Sequence, residues 1–210
     1  MTAVQTARFW DKVADKYAKQ PIRDEEAYQF KLKKTQEYLR PDMDVLEFGC
    51  GTGSTAIVHA PLVKHILAID CSQNMLNFAK EKAKQSQRDN ITFQVDTIEE
   101  LQLPDHSFDV VMGHSILHLL KNKDAAIEKV FKLLKPGGYF VSSTVCIGSG
   151  MSYIRFVLPV MRLLGKAPFV DVMTKDELVN TILSAGFTIE FQWQQKAKVA
   201  VPFIIAKKPE

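Results

Sequence analysis

Short apolar runs alternate along the chain with stretches in which apolar residues recur at helical spacing. The runs Asp44 to Phe48, His65 to Asp70, Ile91 to Val95, Phe108 to Met112 and Tyr139 to Val145 predict five strands. Between them the pattern predicts a short helix ending near Ala60, and a helix over about Gln73 to Gln87 carrying Met75, Leu76, Phe78 and Ala79. It also predicts a short helix from Thr97 to Leu101 and a helix from about Lys123 to Leu134, stopped by Pro136-Gly137-Gly138. Ser72 is a suitable N-cap for the second helix, because its hydroxyl can accept from a first-turn amide. A further helix, Thr174 to Ala185, opens on the capping box Thr174-x-x-Glu177 and stops at Gly186. Two last runs, Thr188 to Gln195 and Val201 to Lys207, are close enough to form an antiparallel hairpin. Strands alternating with helices imply parallel βαβ units. The expected architecture is a single α/β domain over residues 1–210, with a doubly wound, mostly parallel seven-stranded sheet and an antiparallel C-terminal strand.

Two segments stand outside that alternation. Residues 1–40 read as a helical cap, broken near Pro21 and carrying Phe9, Trp10 and Tyr17. Residues 148–172 read as an apolar insertion. Wound as a helix, it places Arg155, Pro159, Arg162 and Lys166 on one stripe; the broad remaining face carries Tyr153, Ile154, Phe156, Val157, Val160, Met161, Leu163 and Leu164. Three readings fit such a face: the wall of an acceptor pocket, packing on the sheet, or peripheral contact with a membrane surface.

Composition narrows the classes. Apolar residues make up 46% and charged residues 24%, as in an ordinary globular chain. A net charge of +3 does not point to a nucleic-acid partner. The three cysteines, Cys50, Cys71 and Cys146, form no Cys-x-x-Cys pair, which argues against a disulfide framework or zinc site and suggests a reducing, cytoplasmic setting. No metal is expected.

The sharpest chemical signal is Val45-Leu46-Glu47-Phe48-Gly49-Cys50-Gly51-Thr52-Gly53. An apolar strand feeds three alternating glycines, then a helix begins. Glycines permit a tight turn and remove Cβ atoms where a ligand approaches the backbone. Asp70 closes the next strand, the position of a carboxylate that accepts from ribose hydroxyls. The pattern implies a nucleoside. It departs from the dinucleotide fingerprint G-x-G-x-x-G, because Ser54 stands where the third glycine belongs. That weakens the alternative of an NAD(P)-dependent oxidoreductase.

The segment resembles motif I of the class I S-adenosylmethionine-dependent methyltransferases, in its E/D-x-G-x-G-x-G form. Further similar segments follow in order: Ile69-Asp70-Cys71-Ser72-x-x-Met75-Leu76; Asp96-Thr97 with Leu103-Pro104-Asp105-x-Ser107-Phe108-Asp109; and Leu133-Leu134-Lys135-Pro136-Gly137-Gly138. The resemblance covers roughly residues 35–145 and is nearest to small-molecule and ubiquinone- or menaquinone-type members. It implies a Rossmann-like fold, S-adenosylmethionine as cofactor (S-adenosylhomocysteine as product), and methyl transfer to a small, lipophilic acceptor. It also implies roles. Gly49, Gly51 and Gly53 would lie beside the methionine part, Glu47 would meet its ammonium, and Tyr17 its carboxylate. Asp70 would hold the ribose, Cys71 and Met75 would pack near the adenine, and Asp96 with the Thr97-Ile98 backbone would contact the ring. A second alternative is a protein that binds the cofactor without turnover.

Methyl transfer to an amine needs no base, whereas a hydroxyl or carbon acid requires one. Gly113-His114-Ser115-Ile116-Leu117-His118 ends the fourth strand, where ligands of doubly wound sheets sit. His114 is therefore the candidate acid–base or acceptor-positioning residue; in similar methyltransferases this position contacts the cofactor through its backbone instead, and His118 is a weaker candidate. His59, His65 and His106 read as ordinary surface or loop residues.

Overall fold

The computed structural model describes residues 3–149, 167–195 and 199–210, together with Ile154, Val157, Leu158 and Met161. The lead-in forms two helices, α1 (Ala3–Ala18) and α2 (Glu25–Gln36), with Pro21 in the break between them. Asp24 caps α2, its Oδ1 accepting from the Ala27 amide at 3.0 Å. There follow β1 (Asp44–Phe48), α3 (Ser54–His59), β2 (His65–Asp70), α4 (Gln73–Gln85), β3 (Ile91–Val95), β4 (Phe108–His114), α5 (Lys123–Leu133) and β5 (Leu134–Ser143). The chain ends with α6 (Lys175–Ser184), β6 (Thr188–Trp193) and β7 (Phe203–Lys207).

One seven-stranded sheet runs in the order β3-β2-β1-β4-β5-β7-β6. The first five strands are mutually parallel, and β7 lies antiparallel to both β5 and β6. The chain winds outward from β1 to β3, then returns to the other side of β1 as β4. The order thus reverses between β1 and β4, and their carboxyl ends open a crevice there. Val45, Leu46, Phe48, Val110, Val111 and Met112 are buried because helices cover both faces of these strands. On one face Leu46, Phe48, Val111 and Phe140 pack with α5 and α6. On the other, Val45, Met112 and Val141 pack with residues of α3 and α4.

The caps form as the side-chain chemistry predicts. Ser72 Oγ accepts from the Met75 amide at 3.1 Å, and both arms of the Thr174/Glu177 box are present. Three expectations are corrected. Residues Thr97 to Leu101 make one hydrogen-bonded turn, with the Glu100 and Leu101 amides on the Thr97 carbonyl, because so short a segment cannot offset helix nucleation. β4 continues through Gly113 to His114, pairing with Ser142 and Ser143 of β5, so His114 lies within the strand and not beyond it. β5 begins at Leu134, directly after α5, with Pro136-Gly137-Gly138 inside a register shift that absorbs the extra residues. At the far end β7 starts after Pro202, which has no amide to donate. The predicted 148–172 helix lies mostly outside the described residues; of its apolar face Val157 and Met161 are exposed.

Candidate cofactor and acceptor site

The glycine turn is held by its neighbour strand. Asp70, at the carboxyl end of β2, accepts from the Gly51 amide (Oδ2, 2.9 Å) and from the Ser72 amide (Oδ1, 2.9 Å). One carboxylate therefore ties the β1–α3 turn to the start of α4. Burial raises the Asp70 pKa, and these two amides oppose the shift by favouring the charged form. Gly49 and Gly51 have φ of 66° and 52°, in the left-handed region. A Cβ on Gly49 would come within 2.6 Å of Ile116, whereas one on Gly51 would meet only the Tyr17 ring, at 3.8 Å. Gly49 is glycine for packing; Gly51 leaves a cradle that a side chain would fill.

The helical cap closes over this turn. Asp11 of α1 accepts from the Ser72 hydroxyl at 2.6 Å and from the Asn74 amide at 3.0 Å, and the Asn74 side chain donates to the Asp11 carbonyl at 3.2 Å. Phe9 and Trp10 meet edge-on at 5.4 Å, and Trp10 meets Tyr17 at 6.4 Å. Tyr17 is 47% exposed, yet its phenol is raised in pKa, first by burial and then by Asp70 and Glu47, and its ring lies beside Gly51.

The other expected cofactor residues gather along the same edge. Cys71 is half-buried after β2, with its thiol pushed up to about 12 by burial. Met75 is buried at the first turn of α4. Asp96 follows β3; its Oδ1 accepts from the Thr97 amide at 2.8 Å and its Oδ2 from the Gln94 side chain at 2.9 Å. Carboxylate oxygens have lone pairs beyond those two bonds, so Asp96 keeps acceptor capacity.

Glu47 differs from these. It is 3% exposed, its Oε2 has no hydrogen-bond partner among the described residues, and burial pushes its pKa up to about 8. The Ala56 amide and the Asp70 charge are the smaller influences. A buried carboxyl oxygen without a partner costs free energy, which leaves Oε2 open to a cationic or hydrogen-bonding group.

His114 lies on the same sheet face as Glu47. Its Nε2 is buried without a partner, and its pKa falls to about 3, through burial first and then His59 and Lys31. The next residue, Ser115, takes φ of 55° and donates its amide to the Ser143 carbonyl, bending the chain so that Ile116 crosses Gly49. His118 Nδ1 pairs with Thr144 Oγ1 at 2.8 Å, and burial lowers its pKa to about 4.

One histidine expectation is overturned. His59 is not a surface residue: it is fully buried at the end of α3, neither ring nitrogen has a hydrogen bond of good geometry, and burial lowers its pKa to about 4, with the Leu32 carbonyl opposing. Sequence periodicity hid this, because the covering residues belong to α2. His65 and His106 lie in the positions expected, on Thr92 Oγ1 and the Leu134 carbonyl. Asp11, Tyr28 and Lys31 were also missed; nothing in their local sequence separates them from solvated helix residues.

A family model described as a methyltransferase domain matches residues 39–197. This chain belongs to the methyltransferase domain family. Among its relatives, the uncharacterized methyltransferase YcgJ of Bacillus subtilis is 32% identical over 108 residues, covering 51% of this chain and 42% of that protein. A demethylmenaquinone methyltransferase of Leptospira interrogans is 36% identical over 107 residues, covering 49% and 43%. The chain thus matches less than half the length of these curated relatives. The solved structure of phosphoethanolamine N-methyltransferase 2 of Haemonchus contortus, in complex with phosphomonomethylethanolamine and S-adenosylhomocysteine, superposes with a TM-score of 0.71 at 18% identity, over 87% of this chain and 53% of that one. That likeness shows a shared methyltransferase fold. Among the described residues, no helix is long and apolar enough to cross a membrane, and no cluster of acids, cysteines or histidines is placed to hold a metal.

Proposed function

We propose that this protein transfers the methyl group of S-adenosylmethionine to a small-molecule acceptor in the cytoplasm. The observation that carries the reading is the Asp70–Gly51 tie, which presents a buried carboxylate and a side-chain-free backbone together at the sheet's switch point. The residues fit the cofactor on two counts: the Gly51 cradle admits a ligand, and the unpartnered Glu47 Oε2 can take a hydrogen-bonding cation.

In this reading Asp70 receives the ribose hydroxyls, and Asp96 with the Thr97 backbone receives the adenine. Cys71 and Met75 flank the ring. Gly51 lets the methionine part lie against the turn, whose left-handed shape and close packing Gly49 and Gly53 keep. Glu47 pairs with its ammonium, and Tyr17 reaches its carboxylate. The bound cofactor supplies a methyl group already activated on a sulfonium sulfur. The protein's task is alignment and exclusion of water, performed by α1 and α2 closing over the strand ends.

His114 is better suited to positioning than to proton removal. With a pKa near 3 it is neutral at every working pH, but so weak a base takes little of a proton in transit. We assign its Nε2 a hydrogen bond to the acceptor. Calorimetry tests the proposal: S-adenosylmethionine and S-adenosylhomocysteine bind, NAD and NADP do not, and a labelled methyl donor labels a small molecule in cell extract. Binding of NAD alone would overturn it. The reducing setting is supported by three unpaired cysteines.

A further inference from the structure

Above the carboxyl ends of β1, β4 and β5 the chain buries more polar capacity than the cofactor roles consume. On one face of the sheet Glu47 and His114 stand on the neighbouring strands β1 and β4, and His114 is registered with Ser143 of β5. Helix α2 covers them. Lys31 Nζ donates to Ser143 Oγ at 2.9 Å, and its charge reaches His114. Tyr28, one turn earlier, brings its hydroxyl to the Glu47 side. His59 at the end of α3 closes the group.

The buried atoms here without a hydrogen bond of good geometry are Tyr28 Oη, Glu47 Oε2, both nitrogens of His59 and Nε2 of His114. Two of these residues, Glu47 and His59, are more than nine-tenths buried. Thr55 beside Tyr28 and the Leu32 carbonyl beside His59 relieve those two side chains only in part, while Glu47 Oε2 and His114 Nε2 keep their full capacity, so the group retains hydrogen-bonding capacity for a ligand. The charge balance says which ligand. Lys31 is a cation drawn out of solvent, and the acid acting on it is Asp24, two helix turns away and already engaged with the Ala27 amide. In the free protein burial keeps the histidines and Glu47 neutral, and with the donor bound the charge of Glu47 is matched by the donor's ammonium. The group therefore offers hydrogen-bond donors around one uncompensated positive charge.

We propose that α2, α3 and the ends of β4 and β5 form an oxyanion subsite centred on Lys31, which takes a carboxylate or phenolate-type oxygen. The inference rests on the methyltransferase reading, in which donor and acceptor share this crevice. The oxyanion comes either from the acceptor or from the amino-acid end of the methyl donor.

The test uses the full chain and calorimetry on wild type, Lys31→Met and Lys31→Arg. S-adenosylhomocysteine and 5′-methylthioadenosine, which lacks the amino-acid part, are titrated first. Benzoate and 4-nitrophenolate are then titrated into the protein loaded with S-adenosylhomocysteine. If the donor's carboxylate occupies the subsite, Lys31→Met loses about tenfold or more in affinity for S-adenosylhomocysteine and none for methylthioadenosine. If the acceptor's oxyanion occupies it, both nucleosides bind normally, and benzoate or 4-nitrophenolate binds wild type but not Lys31→Met. In either case Lys31→Arg restores part of the loss, and the melting temperature of Lys31→Met is unchanged or raised. Equal affinities across folded wild type and Lys31→Met, or failure of both oxyanions to bind with nucleoside affinities intact, would overturn the subsite. Should wild type bind no S-adenosylhomocysteine, the methyltransferase reading falls instead, and the two oxyanions titrated into the free protein still decide the subsite.

Discussion

Two carboxyls one strand apart, Asp70 and Glu47, show how differently the two halves of the crevice are built. Asp70 closes β2 and is spoken for: two backbone amides sit at 2.9 Å on its two oxygens. Glu47 stands on β1, nearly as deep, with one oxygen unpartnered and a pKa near 8. The first half is finished by the chain itself, so its geometry is fixed before any ligand arrives. The second half, with Glu47, His59, His114 and Tyr28, keeps polar atoms that the chain itself leaves unpartnered or poorly paired. In the proposed reading the preorganised half receives the donor's nucleoside, and the half with spare polar capacity faces the reacting end.

The largest effect should come from breaking the finished half at its backbone. Gly51→Val places a branched side chain in the cradle and in a left-handed conformation, and we expect calorimetry to find no binding of S-adenosylhomocysteine by a protein that still folds. Gly49→Val, by contrast, drives its side chain into Ile116 and should lower the melting temperature itself. Unchanged affinity in folded Gly51→Val would mean the turn is structural only.

Next comes Asp70→Ala. It removes the ribose acceptor and both amide ties, each charge-assisted bond being worth about 1.5–3 kcal/mol. Affinity should fall by about a hundredfold or more, with a measurable loss of thermal stability. A loss of stability without loss of affinity would reduce Asp70 to a strut.

Glu47 sharpens the comparison through pH. Its folded pKa lies above its ordinary value of 4.5, so the free fold holds a proton that the unfolded chain releases; this contribution is present at low pH and is lost as pH rises toward about 8. His59, His114 and His118 have depressed values, so theirs is present above about 6.5 and is lost as pH falls toward 4 and below. The melting temperature of the free protein should peak between these limits, and Glu47→Gln should remove part of its alkaline decline. A cationic ligand favours the ionised acid, so affinity for S-adenosylhomocysteine should rise with pH, by at most about tenfold per unit, until Glu47 is ionised unaided. Glu47→Gln should flatten that slope; a slope that survives the substitution would assign the proton elsewhere.

The smallest effects belong to groups that only position. His114→Ala removes one hydrogen bond from a neutral group, so turnover should fall by about tenfold or less, with donor affinity unchanged. A drop of about 10²–10⁴ would restore the base role. Asp11→Ala unlatches α1 from Ser72 and Asn74 and should speed release of S-adenosylhomocysteine a few-fold in stopped-flow measurements.

The sequence alone determined the parts that local chemistry controls. Alternation of apolar runs with helical periodicity set the sheet and its helices, because strands covered on both faces must be apolar. Glycines between β1 and α3, with Asp70 closing β2, marked a tight turn tied to the next strand, because only glycine adopts its left-handed conformations cheaply. The caps at Ser72 and Thr174 were equally legible, each being one side chain bonded to an amide three residues on. Tertiary structure decided the rest. His59 looked like a surface residue until α2, more than twenty positions earlier in the chain, was laid over it. Lys31 and Tyr28 sit among charged helix residues and gain meaning only from β5 and Glu47 beneath them. His114 was placed at a strand end by its sequence, but its depressed pKa comes from burial and from neighbours on other elements. A residue's solvent and its neighbours' charges are properties of the folded chain, set by contacts that no local spacing records.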